Sequence, residues 1–245
     1  MSNSYLSLLS TIAKTKAMKK TIFHLYNVQE IFKGKTFKNV LLLDINFRCH
    51  PEITELCSEL FYGGLLKSGK EHSGKKALYI KNNQSFMSNK SRSFVNEGNR
   101  ISVIEQTSLA LSKGKRSIGT ITPYKAQAEE INDSLSIYRE EYPDADIQAG
   151  TVHKFQGKEK NIVIFDLTFS SQGNKQVPIT YMGDFESEAA KLLNVAMTRA
   201  EDFFVLIGDV NGIVKQLSQR VDKDELVFYK WLTKIQELAY KKEVA

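Results

Sequence analysis

The chain has 245 residues, 42% of them hydrophobic, enough for a packed core in one large α/β domain or two small ones. Its 34 Lys and Arg against 28 Asp and Glu give a net charge of +6 and a pI near 9.1, a moderate basic excess of the kind that suits polyanionic partners. The two cysteines, Cys49 and Cys57, form no CxxC pair, which argues against a disulfide framework and a cysteine zinc site and points to a reducing cytoplasm. No uninterrupted apolar run approaches the ~20 residues needed to span a bilayer, and the early lysines follow the first apolar stretch instead of preceding it, so no export signal or membrane anchor is expected.

Residues 1–39 read as a helical lead-in, with apolar spacing at Tyr5, Leu8, Leu9 and Ile12 and again at Ile22, Phe23, Tyr26 and Ile31. Gly34-Lys35-Thr36 has the end of a phosphate-binding loop but not its beginning, because Gln29 stands where the first glycine belongs. From residue 40 to 245 strands and helices alternate, which predicts a single α/β domain with a mainly parallel sheet. The first strand is expected at 40–43, closed by Asp44 and Asn46, and Pro51 then opens a helix carrying Ile53, Leu56, Cys57, Leu60 and Phe61. Between them, Phe47 and Arg48 put a ring and a guanidinium at the carboxyl end of a strand, where open α/β sheets place ligands.

Residues 62–75 and 81–93 are rich in Gly, Ser, Asn and Lys and read as surface loops around a short strand at 77–80. Asn96 suits the N-cap of a helix running to about Ser112, ended by Gly114. A strand at 117–122 follows, and Thr122-Pro123 then reads as an N-cap with proline at the first helical position. That junction offers backbone N–H groups to a phosphate. After a turn at Pro143-Asp144 and a strand at 147–152 comes the densest polar stretch, Thr151 to Lys160, driving into the apolar run Ile162-Val163-Ile164-Phe165. Residues 170–187 form a long connection, 188–200 a helix ending in Arg199, 203–207 a strand turning at Gly208-Asp209, and a last amphipathic helix carries Phe228, Trp231, Leu232, Ile235 and Leu238.

Arg48, Glu159 and Arg199 all fall at strand or helix ends and are expected to converge on one sheet edge. Phosphoryl transfer needs cations on the oxygens where charge spreads, and a planar guanidinium clamps two of them at once. A nuclease built on Asp44 and Asp166 is a poor rival, because no histidine or further acid is spaced to join them in holding a metal, and no metal site is expected.

Four ordered segments carry a resemblance: Asn46-Phe47-Arg48-Cys49-His50-Pro51, Gly119 to Gln127, Thr151 to Lys160, and Leu193-Asn194-Val195-Ala196-Met197-Thr198-Arg199-Ala200. Together they resemble motifs of superfamily 1 helicases, in the branch of the nonsense-mediated-decay helicase and senataxin, over about residues 40–210. The resemblance implies a second RecA-like domain of three layers. It implies that Phe47 stacks on adenine where tyrosine is usual, that Arg48 and Arg199 are catalytic fingers on the γ-phosphate, and that Glu159 bonds the ribose. Gln156 and Gly157 would lie between nucleotide and nucleic acid, and Thr122, Pro123, Tyr124, Thr151 and His153 would hold a single strand.

The family's first RecA-like domain holds the phosphate-binding loop, the Mg²⁺-holding Asp-Glu and a sensor glutamine, none of which this sequence contains. Asp44 imitates the Mg²⁺ motif but is followed by Ile45. ATP and Mg²⁺ are therefore expected only in a complete two-domain motor, with a first RecA-like domain in cis or in trans and single-stranded nucleic acid as partners. The alternative is a non-enzymatic nucleic-acid- or protein-binding module derived from a truncated helicase.

Overall fold

The computed structural model describes residues 44–240, apart from 73, 91, 156–157, 173–176 and 179–180. The lead-in expected at 1–39, the strand expected at 40–43 and Gly34-Lys35-Thr36 lie outside the described residues, as do Gln156 and Gly157.

The strands are β1 (Ile45–Asn46), β2 (Lys67–Ser68), β3 (Leu78–Asn82), β4 (Ser88–Lys90), β5 (Ser93–Val95), β6 (Ser117–Ile121), β7 (Asp146–Gly150), β8 (Lys160–Asp166) and β9 (Ala200–Gly208). The helices are α1 (Pro51–Phe61), α2 (Glu97–Ser112), α3 (Lys125–Ser134), α4 (Ser136–Glu141), α5 (Glu188–Met197), α6 (Val210–Ser218) and α7 (Val227–Tyr240). Five strands form one all-parallel sheet in the order β3-β9-β8-β6-β7, as the alternation of strands and helices predicts.

Strands buried on both faces read as continuous apolar runs, because successive side chains enter opposite cores. Along β8, Val163 and Phe165 enter the larger core with α1, α5, α6 and α7, while Ile162 and Ile164 enter the smaller core with α2 and α3. Phe204 and Leu206 alternate with Val205 and Ile207 in the same way on β9. The result is the three-layer RecA-like arrangement. Trp231 of α7 anchors the larger core, edge-on to Phe165 at 5.6 Å and stacked on Phe228 at 5.8 Å. Each such ring contributes roughly 4–6 kcal/mol of transfer free energy before ordering entropy is subtracted.

Several expected boundaries move for identifiable reasons. Residues 81–93 are not simply a loop: β3 runs on to Asn82, and Ser88–Lys90 pairs antiparallel with Ser93–Val95 as a hairpin. The helix expected from Pro123 begins at Lys125, with Tyr124 as N-cap in extended conformation. Thr122 cannot cap it, because its N–H continues the ladder to the Gly150 carbonyl at 3.1 Å and its hydroxyl lies 2.6 Å from that of Thr168. Ser93 of the hairpin supplies a hydroxyl instead, accepting from the Ala126 N–H at 3.3 Å. The same helix breaks at Leu135 into α3 and α4. Helix α5 ends at Met197, so Arg199 stands in the turn before β9, and α6 follows the turn expected at Gly208-Asp209, in a stretch where the sequence predicts no element. Asn96 does cap α2, accepting from the Asn99 N–H at 3.1 Å, and Gly114 at φ 78° ends it in the left-handed region that glycine tolerates.

Candidate functional site

Because all five strands run the same way, the sheet has a distinct amino edge and carboxyl edge. Glu159 immediately precedes β8 and Arg199 immediately precedes β9, so both stand at the amino edge. Arg48 joins them there, its guanidinium paired with the Glu159 carboxylate, both side chains about 40% exposed. The convergence expected of these three residues is present. Phe47 and Arg48 follow the carboxyl end of a strand, as expected, but that strand is β1, which pairs with β2 and not with the five-stranded sheet, so the cluster stands at the amino edge of the latter.

Local structure explains how Arg48 and Phe47 are presented. The Asn46 side chain accepts from the Arg48 N–H at 2.8 Å and the Cys49 N–H at 3.0 Å, closing a tight turn that thrusts both intervening side chains outward. The Lys70 ammonium holds the Arg48 carbonyl from the other side. Phe47 is 69% exposed, and its ring lies so close to Gly69 that any Cβ there would collide with it. An apolar ring seated beside a glycine and largely exposed is suited to stacking on another ring.

Arg199 is half-withdrawn. Its Nε donates to the Val195 carbonyl at 3.2 Å and its Nη1 to the Lys158 carbonyl at 3.4 Å. Burial first, and the Arg48 charge second, lower its pKa, while Glu159 opposes them. Two guanidinium groups therefore face one carboxylate, an excess of positive charge suited to an anion.

Residues that the motif reading left out hold this geometry. Tyr62, the C-cap of α1, accepts from the Asn194 amide of α5 at 2.9 Å. The His50 N–H donates to the Glu201 carbonyl at 2.7 Å, and the Cys49 thiol lies 3.7 Å from the Thr198 carbonyl. Helix α1 and the residues leading into it are thus tied at three points to α5, the turn after it and the start of β9. Burial raises the Cys49 thiol despite the cations nearby, and its side chain packs in the larger core. Tyr62 follows the apolar stripe of a helix and precedes Gly63-Gly64, a helix-end signal visible in sequence, but its partner lies 132 residues away.

The carboxyl edge holds the residues expected to meet a strand. Thr151 follows β7, and Pro123 and Tyr124 follow β6; all three are partly exposed, and His153 is exposed. Tyr124 packs edge-on against Phe94 of the hairpin at 5.2 Å, and burial raises its phenol. Thr122 is the exception among them: it is fully buried, so its side chain faces the interior and not a phosphate. Asp166 is also fully buried, at the carboxyl end of β8, the opposite end of that strand from Glu159. Among the described residues no group of three or more His, Cys, Asp or Glu is placed to hold a metal.

One segment joins the edges. Residues 151–159 lead from the carboxyl end of β7 back to the amino end of β8, a distance of ~16 Å for a five-residue strand. Val152 and Phe155 pin it to the core in a short 3₁₀ turn, with the Phe155 ring seated where only Gly119 leaves room.

The AAA domain family matches residues 18–211. The chain is similar to the uncharacterized ATP-dependent helicase C05C10.2 of Caenorhabditis elegans, at 29% identity over 206 residues, 76% of this chain and 12% of the relative. It is similar to the mouse 5'-3' DNA helicase ZGRF1, at 30% over 186 residues, 71% of this chain and 9% of the relative. The Regulator of nonsense transcripts 1 homolog of Drosophila melanogaster is 26% identical over 194 residues, 71% of this chain and 16% of the relative. The chain thus spans 9% to 16% of the length of these relatives. With the four motifs in order on a three-layer parallel sheet, the chain belongs to the AAA domain family and is a second RecA-like domain of the superfamily 1 helicase type.

Proposed function

We propose that this chain is the C-terminal motor domain of an ATP-dependent DNA or RNA helicase, supplying arginine fingers and single-strand contacts to a site completed by a first RecA-like domain. The observation that carries this reading is the amino-edge cluster, in which Arg48, Arg199 and Glu159 meet beside the exposed ring of Phe47. Phe47 offers its open face to a base, and Glu159 is an acceptor for ribose hydroxyls. Arg48 and Arg199 are donors for the terminal phosphate, where charge-assisted contacts are strongest. Arg48 now rests on Glu159, so nucleotide arrival exchanges one anion for another: Arg48 moves to phosphate and frees Glu159 for the sugar. When bound with Mg²⁺, ATP supplies the phosphoryl group that this chemistry transfers to water.

At the carboxyl edge, Pro123, Tyr124, Thr151 and His153 are the single-strand contacts, and a hydroxyl, a ring and backbone N–H groups suit sequence-blind binding of a phosphate backbone. The segment 151–159 couples the two edges, so a change at Glu159 on hydrolysis is felt at Thr151. Mixing this chain with the first RecA-like domain of its own longer protein tests the reading. Neither half alone should hydrolyse ATP appreciably, and the mixture should do so when single-stranded nucleic acid is added. Hydrolysis by this chain alone, or none by the mixture, would contradict it.

A further inference from the structure

The least expected chemistry in the fold is sealed beneath the carboxyl edge. Asp166 is fully buried, and no cation among the described residues partners it: its oxygens accept from the Asn99 amide at 2.7 Å, the Gln127 amide at 2.7 Å, the Thr168 N–H at 2.7 Å and the Thr168 hydroxyl at 3.3 Å. Aspartates are rarely buried so completely without a cation. Thr168 itself has φ 62°, the only positive φ of a non-glycine residue among the described residues. The Phe169 N–H closes a three-residue turn across it to the Leu167 carbonyl at 2.6 Å. A β-branched residue in the left-handed region is strained, and such a conformation survives only where its surroundings over-determine it.

Those surroundings can be traced. The Thr168 carbonyl accepts from the Asn96 amide at 2.8 Å, and its hydroxyl meets that of Thr122 at 2.6 Å. Gln127 clasps the Asn96 backbone in both directions, accepting from its N–H at 2.8 Å and donating to its carbonyl at 3.1 Å. One carboxylate thereby fixes the end of β6, the end of β8, the N-cap of α2 and the first turn of α3 relative to each other. Stability alone is a weak reason for this arrangement, since apolar packing in place of a buried ionised group is often neutral or stabilising. Backbone strain held in place by its environment is characteristic of ligand clamps.

The elements fixed by Asp166 are the ones from which the strand contacts emerge. Thr122 leads directly into Pro123 and Tyr124, and Gln127 lies one turn further into α3. We propose that the Asp166–Thr168 cluster is a positioning device for single-strand binding, holding the 122–124 segment and the first turn of α3 at the angle at which they meet a nucleic-acid backbone. The inference rests on the helicase reading above. Asp166 touches no strand; it acts through Thr168 and Thr122.

The test uses this chain together with the first RecA-like domain of its own longer protein, with a fluorescently labelled oligothymidine and oligouridine at low salt, and separately a fluorescent ATP analogue. Failure of the unaltered chain to bind either oligonucleotide would sink the helicase reading itself. Given binding, Asp166→Asn places a donor among donors, and Thr168→Gly relieves the left-handed strain while removing the hydroxyl. Each should weaken oligonucleotide binding by about tenfold or more, the loss of roughly one good contact. Affinity for the ATP analogue, bound at the opposite edge, should stay within about twofold. Thr168→Gly is the sharper variant, because its melting temperature should hold or rise while strand binding falls. Unchanged strand binding in Thr168→Gly would overturn the proposal. So would equal losses for strand and nucleotide, or unfolding of both variants, since the cluster would then be only a stability element.

Discussion

The two edges of the sheet treat polar groups in opposite ways. At the amino edge, Arg48 and Glu159 are about 40% exposed, Phe47 is open, and Arg199 spends its donors on two backbone carbonyls at 3.2 and 3.4 Å. At the carboxyl edge, Asp166, Asn99, Gln127 and Thr168 are sealed from solvent and joined by short hydrogen bonds. On the proposed reading the open edge is one half of a site that rearranges around a ligand, and its contacts are exchangeable. On the same reading the sealed edge is preorganised for a surface that grips a backbone without reading bases, which gains from rigidity. Surface ion pairs contribute at most about 1 kcal/mol, so breaking Arg48 from Glu159 costs little.

This contrast can be broken by substitution at either edge. The largest expected effect is at the amino edge: Arg199→Ala in the complete motor should lower strand-stimulated ATP hydrolysis ~10³-fold or more, as for other arginine fingers. Turnover assays check this, and an unchanged rate would remove Arg199 from the finger role. Phe47→Ala comes next, raising the half-saturating ATP concentration by about tenfold through loss of stacking on a base. Because the ring is 69% exposed, the melting temperature should not move. At the carboxyl edge, Tyr124→Ala should weaken oligonucleotide binding several-fold with ATP affinity preserved, and should cost about 1 kcal/mol of stability through the lost ring pair with Phe94.

The smallest effect concerns pH. Burial lowers the His50 pKa, with His72 and Lys70 acting in the same sense and Glu52 and Asp202 opposing. Its neutral Nδ1 accepts from the Glu52 N–H at 3.2 Å and so caps α1. A lowered folded-state pKa means that the unfolded chain takes up the proton first. This stabilisation is therefore complete above the ordinary imidazole pKa of ~6.5 and declines as the pH falls below it. Thermal denaturation between neutral and mildly acidic pH should show the decline, and His50→Asn, which caps without titrating in this range, should flatten it.

Much of this architecture is legible in the chain. The apolar runs at 162–165 and 203–207 announce doubly buried strands, and Asn96 and Gly114 mark both ends of α2, because these signals are local. What escapes is non-local. Thr122 reads as a cap and is not one, since its hydroxyl is taken by Thr168, 46 residues away, and the hydroxyl serving the α3 start comes from Ser93, 33 residues earlier in the chain. The 88–95 hairpin is hidden because its Ser, Asn and Lys composition is that of a loop. The amino-edge location of Arg48, Glu159 and Arg199 follows from strand direction, which spacing alone does not reveal. Asp166 reads in sequence as one more strand-end acid, because its side-chain amide donors lie 39 and 67 residues away.

The central claim is that the two edges do separable work joined through residues 151–159. The most direct test is the Arg48→Ala/Arg199→Ala double variant in the complete motor, assayed for oligonucleotide affinity without nucleotide and for ATP turnover. Strand affinity should stay within about twofold of the unaltered protein while turnover falls ~10³-fold or more. A parallel loss of strand affinity, or retained turnover, would contradict the account.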